Sequence, residues 1–341
     1  MSRIETSLDR TYGSSYEEDA VTLLNQHYGE GIDIYCIWAE IPTALKAWWR
    51  GLENVLDHPA QLHYAWLNNE DGSPNKLGLN DGIRLATSTA IELLQLNYNE
   101  PLTLLDAGCG VGGAVLQIDL FLQGQKVTAF EIHGISIVSK QIKVARLRSK
   151  KFGAINSNFL VGNLLDLPYQ LGTFDGIIAI ESFCHITPEN KLNLLQGLIR
   201  ILKPGGRVVI MDGYIVREPK TSHEQYWFSV WRNGWTLPEM VTVEELNNLA
   251  KTSGFEIEQS FACPQAQSSV TVIYRRTRYI LIPLLRLYRL QKKFGHESKL
   301  LQKTGVHTAN AEAFIKSGLA QKEIVDRNLM TYHVHVLRRP P

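Results

Sequence analysis

The sequence predicts an α/β fold built on a doubly wound, mostly parallel sheet, and three observations predict it. Short, β-branched apolar runs recur between Thr103 and Leu337, each too brief for a buried helix. Longer amphipathic stretches separate the first five, the alternation that parallel βαβ units require. The first run passes directly into a glycine-rich turn, Asp106-Ala-Gly108-Cys-Gly110-Val-Gly112-Gly113, where open α/β sheets bind ligands.

In chain order, the first hundred residues are rich in Trp and Tyr, with helical spacing at Ala20–Tyr28 and Thr43–Val55. Residues 68–80 form a turn-rich loop and Asp81–Leu96 predicts a helix. Strands are predicted at Thr103–Ala107, Lys126–Ile132, Asn158–Gly162, Gly176–Ile180 and Arg207–Met211. Helices are predicted at Gly113–Leu122, Ser136–Arg148 and Lys191–Leu202. The last of these is stopped by a turn at Lys203-Pro-Gly-Gly206. A helix at Val241–Ser253, a strand at Glu256–Phe261, a basic helical region at Thr271–Gln302 and a strand at Leu329–Leu337 complete the chain. This order predicts a Rossmann-like seven-stranded sheet whose last strand inserts antiparallel. Residues 1–80 are expected to form an N-terminal helical cap. Residues 81–341 are expected to form the main domain, with a helical lid at about 216–240 and 266–325.

The 341 residues are 44% hydrophobic and 20% charged, the balance of a globular protein, and the net charge of +1 argues against a nucleic-acid partner. Four cysteines stand without CxxC spacing, so neither a disulfide framework nor a metal site is expected, and a cytoplasmic setting fits. The polar N-terminus does not resemble a signal peptide. The most apolar run, Ile280–Leu290, is broken by Pro283, Arg286 and Arg289 and is too short to span a bilayer. Across Arg275–Lys303 basic residues strongly outnumber acidic ones, which suits either a solvated helix face or contact with an acidic head group, pyrophosphate or a membrane surface. Homo-oligomerisation is left open.

The glycines Gly108 and Gly110 let the backbone approach a ligand closely, and the run opens on an acidic residue where a dinucleotide fingerprint would not. Asp106 suits a ligand with an ammonium group and no phosphate, as in S-adenosylmethionine. Glu131 is placed to accept both ribose hydroxyls, with Ser136 as the fallback if the second strand runs further than expected. After the third strand, Asn163 can donate to and accept from an adenine edge, with Leu164 against the ring.

Four segments carry a family resemblance: LLDAGCGVGG (104–113), FLVGNLLDLPY (159–169), FDGIIAIESFCHI (174–186) and ILKPGGRVVIMDG (201–213). The chain resembles class I S-adenosylmethionine-dependent methyltransferases over about residues 81–340. Within that family, AIESFCH (179–185) and WTLPEM (235–240) resemble the sterol C-methyltransferase and tocopherol methyltransferase group. The resemblance implies S-adenosylmethionine as cofactor and a small hydrophobic acceptor, isoprenoid or prenylated. C-methylation stands slightly ahead of N- or O-methylation of an alkaloid or phenol. A non-catalytic S-adenosylmethionine-binding module is the alternative of another class.

On the acceptor side, Glu181 and His185 follow the fourth strand, and a short helix there would put both on one face. Glu181 is expected to stabilise substrate or cation, and also to touch the cofactor. His185 is the candidate base or positioning group. Among the aromatics, Tyr28, Trp38 and Trp235 are the candidate substrate-lining residues. His333 and His335 alternate with apolar residues in the last strand, so they are expected to face the sheet surfaces rather than a metal.

Overall fold

The structure is a computed structural model. It describes residues 63–295 except Lys126 and Thr128, residues 311–341, and Thr22, Leu24, Asn25, Tyr28, Lys46, Arg50, Gly51 and Gln61. The predicted helices at 20–28 and 43–55 therefore fall mostly outside the described residues. Thr22, Leu24, Asn25, Tyr28, Lys46 and Arg50 are each helical. Trp38 and residues 296–302 of the predicted basic helix also lie outside.

The elements run α1 (Leu79–Leu93), β1 (Leu102–Ala107), α2 (Gly113–Gly124), β2 (Phe130–Ser136), α3 (Ser139–Phe152), β3 (Ser157–Val161) and β4 (Phe174–Ile180). They continue with α4 (Pro188–Ile201), β5 (Leu202–Ile215), α5 (Ser222–Trp235), α6 (Val243–Thr252) and β6 (Glu256–Ala262). The last are α7 (Pro264–Arg276), α8 (Ile282–Lys293), α9 (Ala311–Asp326) and β7 (Met330–Arg338). The seven strands lie in the order β3-β2-β1-β4-β5-β7-β6. The neighbours from β3 to β5 pair in parallel, and β7 is antiparallel to both β5 and β6. The predicted architecture is the observed one.

The central strands are buried on both faces. Ile132, Ile178, Val209 and Met211 pack on one side, and Leu105, Ile177, Val208 and Ile210 on the other. Each such side chain removed from water is worth about 1.5–3 kcal/mol. The order in which strands are added reverses between β1 and β4, so the loops leaving their carboxyl ends run to opposite sides of the sheet and leave a crevice.

Two predicted boundaries differ. The second strand was expected at 126–132 but occupies Phe130–Ser136, with Glu131 paired to Thr103 and Ile135 to Ala107. Gly134 permits the later register, because a Cβ there would lie 2.9 Å from both Cys109 Sγ and the Phe159 ring. The predicted turn at 203–206 is instead part of β5. There a register shift and Gly205, at φ +78°, form an irregularity between Leu202 and Arg207.

Candidate active site

A cavity of about 220 Å³ opens at the carboxyl ends of β1, β2, β4 and β5. Gly108, Gly110, Ser136, Gln141, Asn163 and Leu164 line one half. Glu181, His185, Tyr28, Tyr64, Trp235 and Tyr332 line the other.

The first half is shaped by the glycine turn. Gly108, at φ +103°, lies so close to the β4 loop that a Cβ would meet Ser182 Cβ at 2.3 Å. Ser182 Oγ donates to Ala107 O at 2.6 Å and fastens the two loops together. Gly110 and Gly112 also have positive φ, +52° and +78°. Asp106 is 3% exposed, and no group among the described residues hydrogen-bonds its carboxyl. Burial pushes it up to about 7. A buried carboxyl at a cavity wall calls for a ligand donor, and the ammonium of S-adenosylmethionine fits that need.

Ser136 stands at the end of β2 and lines the cavity, where its hydroxyl donates to Gln141 Oε1 at 2.9 Å and accepts from Val138 N–H at 3.2 Å. Glu131 does not line it. The later register puts Glu131 at the opening of β2, away from the carboxyl end. There it is exposed, accepting from Asn158 Nδ2 at 2.5 Å and lying 3.3 Å from His133. The expectation that Glu131 faces the ligand cavity is thus corrected: it stands away from the cavity, and Ser136, the fallback, lines it. Asn163 faces the cavity with its Oδ1 accepting from Leu165 N–H at 3.0 Å, which leaves its amide NH₂ as the group for an adenine edge.

Glu181 terminates β4 in a left-handed conformation, φ +50°. That is costly for a residue with a Cβ and is held by Glu181 N–H donating to Met211 O at 2.8 Å. Its Oε1 accepts from Tyr64 N–H at 2.6 Å. Burial pushes the carboxyl up to about 8 against that hydrogen bond, and the neighbouring Asp212 pushes the same way. The Tyr64 and Tyr332 rings meet edge to face at 5.1 Å beside it.

A short 3₁₀ turn, Phe183–His185, follows and brings His185 to the same cavity as Glu181. Tyr28 Oη lies 3.2 Å from His185 Nε2 and 3.3 Å from Trp235 O, and His185 Nδ1 lies 3.4 Å from Thr236 O. Tyr28, His185 and Trp235, three residues singled out from the sequence, therefore meet. Trp235 ends α5, whose start is fixed by a reciprocal Thr221–Glu224 capping box.

Sequence reasoning missed several residues. Asp212 is 2% exposed, accepts from Cys184 N–H at 2.9 Å, and is pushed up by burial. It follows four apolar residues, the same signal that picked out Glu181. Lys191, 3% exposed, donates to Phe183 O at 2.6 Å and Ile186 O at 2.7 Å, clamping the turn that carries His185. Gln321 donates to Tyr64 Oη. His63 is held neutral by burial, which lowers it to about 4. The Gln321–Tyr64 contact joins segments far apart in sequence, and no local pattern marks it. His335 is wholly buried and pushed down to about 3 by burial, and His333 lies beside it at 4.9 Å between ring centroids. Among the described residues no group of three metal-ligating side chains occurs.

Residues 99–269, half of the chain, match the family model of a methyltransferase domain. The chain belongs to this family. The methyltransferase chain is 28% identical over 211 residues to 24-methylenesterol C-methyltransferase 3 of Arabidopsis thaliana, across 60% of its own length and 56% of the relative's. It spans about half the length of the curated relatives it matches. The cyclopropane synthase MmaA2 of Mycobacterium tuberculosis superposes with a TM-score of 0.66 at 13% identity, over 94% of this chain and 98% of that one. The geranyl diphosphate C-methyltransferase of Streptomyces coelicolor A3(2) superposes with a TM-score of 0.60 at 15% identity, over 96% and 99%. Identities this low establish a shared fold.

Proposed function

We propose that this chain is an S-adenosylmethionine-dependent methyltransferase that methylates a carbon of a small hydrophobic isoprenoid or prenylated metabolite. One observation carries the reading. The buried Glu181 carboxyl stands on the wall of the same cavity as the glycine turn and an aromatic chamber of Tyr28, Tyr64, Trp231, Trp235 and Tyr332. The sterol substrate of the Arabidopsis relative and the geranyl diphosphate of the Streptomyces enzyme support an isoprenoid acceptor.

Asp106, Ser136, Gln141, Asn163 and Leu164 would hold the cofactor, with Asp106 at its ammonium end. Bound there, S-adenosylmethionine supplies a methyl group already activated on a sulfonium. The chain has to align acceptor carbon and methyl, exclude water, and manage charge. When an alkene carbon takes the methyl, a cation develops on the neighbouring carbon. Aromatic faces and a carboxylate stabilise such a cation in a dry site. Glu181 is largely protonated while the site is uncharged, because burial raises it. The positive charge of a bound sulfonium would pull it toward the carboxylate, its proton leaving to solvent before methyl transfer, and the carboxylate then takes the proton lost from the cation. Tyr64 N–H keeps Oε1 oriented throughout. Lys191 and Asp212 position the turn that carries His185, and His185 with Tyr28 orients the acceptor's polar end.

In the same reading, residues 1–80 and the helical segments at about 216–240 and 266–325 form the cover of the acceptor chamber. Tyr28, Trp231, Trp235 and Gln321 support this, since each lines the cavity. The test is incubation with methyl-labelled S-adenosylmethionine and a panel of prenylated, phenolic and alkaloid acceptors. Label on a prenyl carbon supports the proposal. Label only on phenol oxygen or amine nitrogen moves the reaction to O- or N-methylation, and tight cofactor binding without transfer marks a binding module.

A further inference from the structure

From Pro264 to Gly295 the chain carries seven Lys or Arg and no Asp or Glu. This stretch forms α7, a π-helical turn at Thr277–Leu281, and α8. The inner side of α8 is satisfied. Leu281 and Leu285 pack with Ile315 of α9, and Arg289 pairs with Glu312 of the same helix. The outer side is not. Leu287 is 45% exposed, Leu290 54% and Phe294 67%, with Tyr279 and Ile280 exposed one turn before the helix.

These exposed residues are not scattered. Ile280, Pro283, Leu287, Leu290 and Phe294 recur at spacings of three and four. At about 100° per residue, Pro283, Leu287, Leu290 and Phe294 fall within roughly 60° of one another. Single exposed apolar residues need no explanation, but a continuous stripe on one helix does. Arg286 and Lys293 border the stripe on one side, and Arg275 and Lys292 extend the positive field. None of these four is in an ion pair among the described residues.

We infer that the outer face of α8 is a docking surface for an anionic phospholipid bilayer. Charge complementarity selects this occupant. A basic helix with no acidic residue of its own framing an apolar stripe is the pattern of helices that lie in the plane of a membrane interface, with the apolar residues below the head groups and the cations among them. A second copy of the chain would set these positive charges against each other. Among the described residues no helix is long and apolar enough to cross a membrane, so the contact is peripheral. The α9 helix behind α8 also reaches the cavity through Gln321, and its Phe314 packs edge to face on Trp235 at 4.7 Å. The docking face is therefore one helix away from the acceptor chamber, a useful arrangement for an apolar acceptor drawn from a bilayer.

The inference does not rest on the methyl-transfer reading, because vesicle binding is measured without turnover. The full chain is sedimented with vesicles of phosphatidylcholine alone and of phosphatidylcholine containing about 30 mol% phosphatidylglycerol. Binding to the anionic vesicles at least about tenfold tighter than to the neutral ones supports the inference. So does an at least about tenfold loss in the triple variant Leu287→Ser, Leu290→Ser, Phe294→Ser, with its melting temperature unchanged. If the triple variant fails to fold, the pair Arg286→Gln, Lys293→Gln carries the test and must lose the preference for anionic vesicles. Wild-type chain that stays in the supernatant overturns the inference, as does a variant that sediments like wild type. Light scattering that finds a wild-type dimer dissociated by the same substitutions also overturns it, in favour of an interface between copies.

Discussion

Tyr64 N–H donates to Glu181 Oε1 at 2.6 Å, joining a segment before α1 to the carboxyl end of β4, 117 residues later. The contact fixes the direction of a carboxyl that burial raises to about 8. A group so raised keeps its proton until a positive charge is brought beside it, and only once ionised can it take a proton from a cation.

Replacing that carboxyl without changing its shape isolates its charge. In Glu181→Gln the amide oxygen still accepts from Tyr64, so the fold and the glycine turn should be unaffected. Turnover is expected to fall by about 10²–10⁴-fold, with the cofactor dissociation constant within about threefold of wild type. Single-turnover kinetics and titration calorimetry read the two effects separately.

Cofactor binding should depend on pH through Asp106. Its folded value of about 7 lies above the ordinary 3.8, and only the ionised form attracts an ammonium. Below pH 7 a proton must therefore leave on binding, so affinity should rise from pH 6 toward 8, by at most about tenfold per unit, and then level off. Calorimetry in buffers of different ionisation enthalpy should register the released proton. The stability of the empty protein runs the other way. Carboxyls raised in the folded state favour folding at low pH, and Asp106 and Glu181 lose that contribution as pH rises through about 7 to 8. Thermal melts should show bound cofactor protecting most at the upper end of that range.

Gly108→Ala confronts both a strained φ of +103° and a contact of 2.3 Å with Ser182 Cβ. The two costs together are expected to reach about 2–4 kcal/mol, read as a lower melting temperature and weakened cofactor binding. Gly153→Ala makes a control, since it is also at positive φ, +75°, but has open space around it. It should cost less and leave cofactor binding unchanged.

The second-strand correction is testable at two residues. Glu131→Ala should leave the cofactor dissociation constant within about twofold of wild type. Loss of the Ser136–Gln141 contact in Gln141→Leu should weaken cofactor binding by about 3–10-fold, the worth of one hydrogen bond.

Much of this architecture was legible in local pattern. Alternating β-rich runs and amphipathic stretches anticipated the seven strands, and the glycine turn with the acid before it, singled out from the sequence, lines the cavity. Glu181, His185, Tyr28 and Trp235 were picked from three separate segments, and the fold brings them to one cavity. The start of the second strand was misjudged because the run from Val127 to Ile132 is already short, apolar and β-rich. The later register depends on Gly134 admitting Cys109 and Phe159, a contact invisible along the chain. Gln321 and Tyr64 act through partners distant in sequence, so their residue types alone carried no signal. Asp212 did carry one, an acid after four apolar residues as Glu181 is, although β5 continues three residues beyond it.

The most direct test of the central claim is carbon-13 NMR of the product formed from methyl-carbon-13 S-adenosylmethionine and a prenylated acceptor. A labelled methyl bonded to a prenyl carbon, absent from the Glu181→Gln reaction, is the predicted result. A labelled methoxy or N-methyl product formed equally well by Glu181→Gln would contradict it.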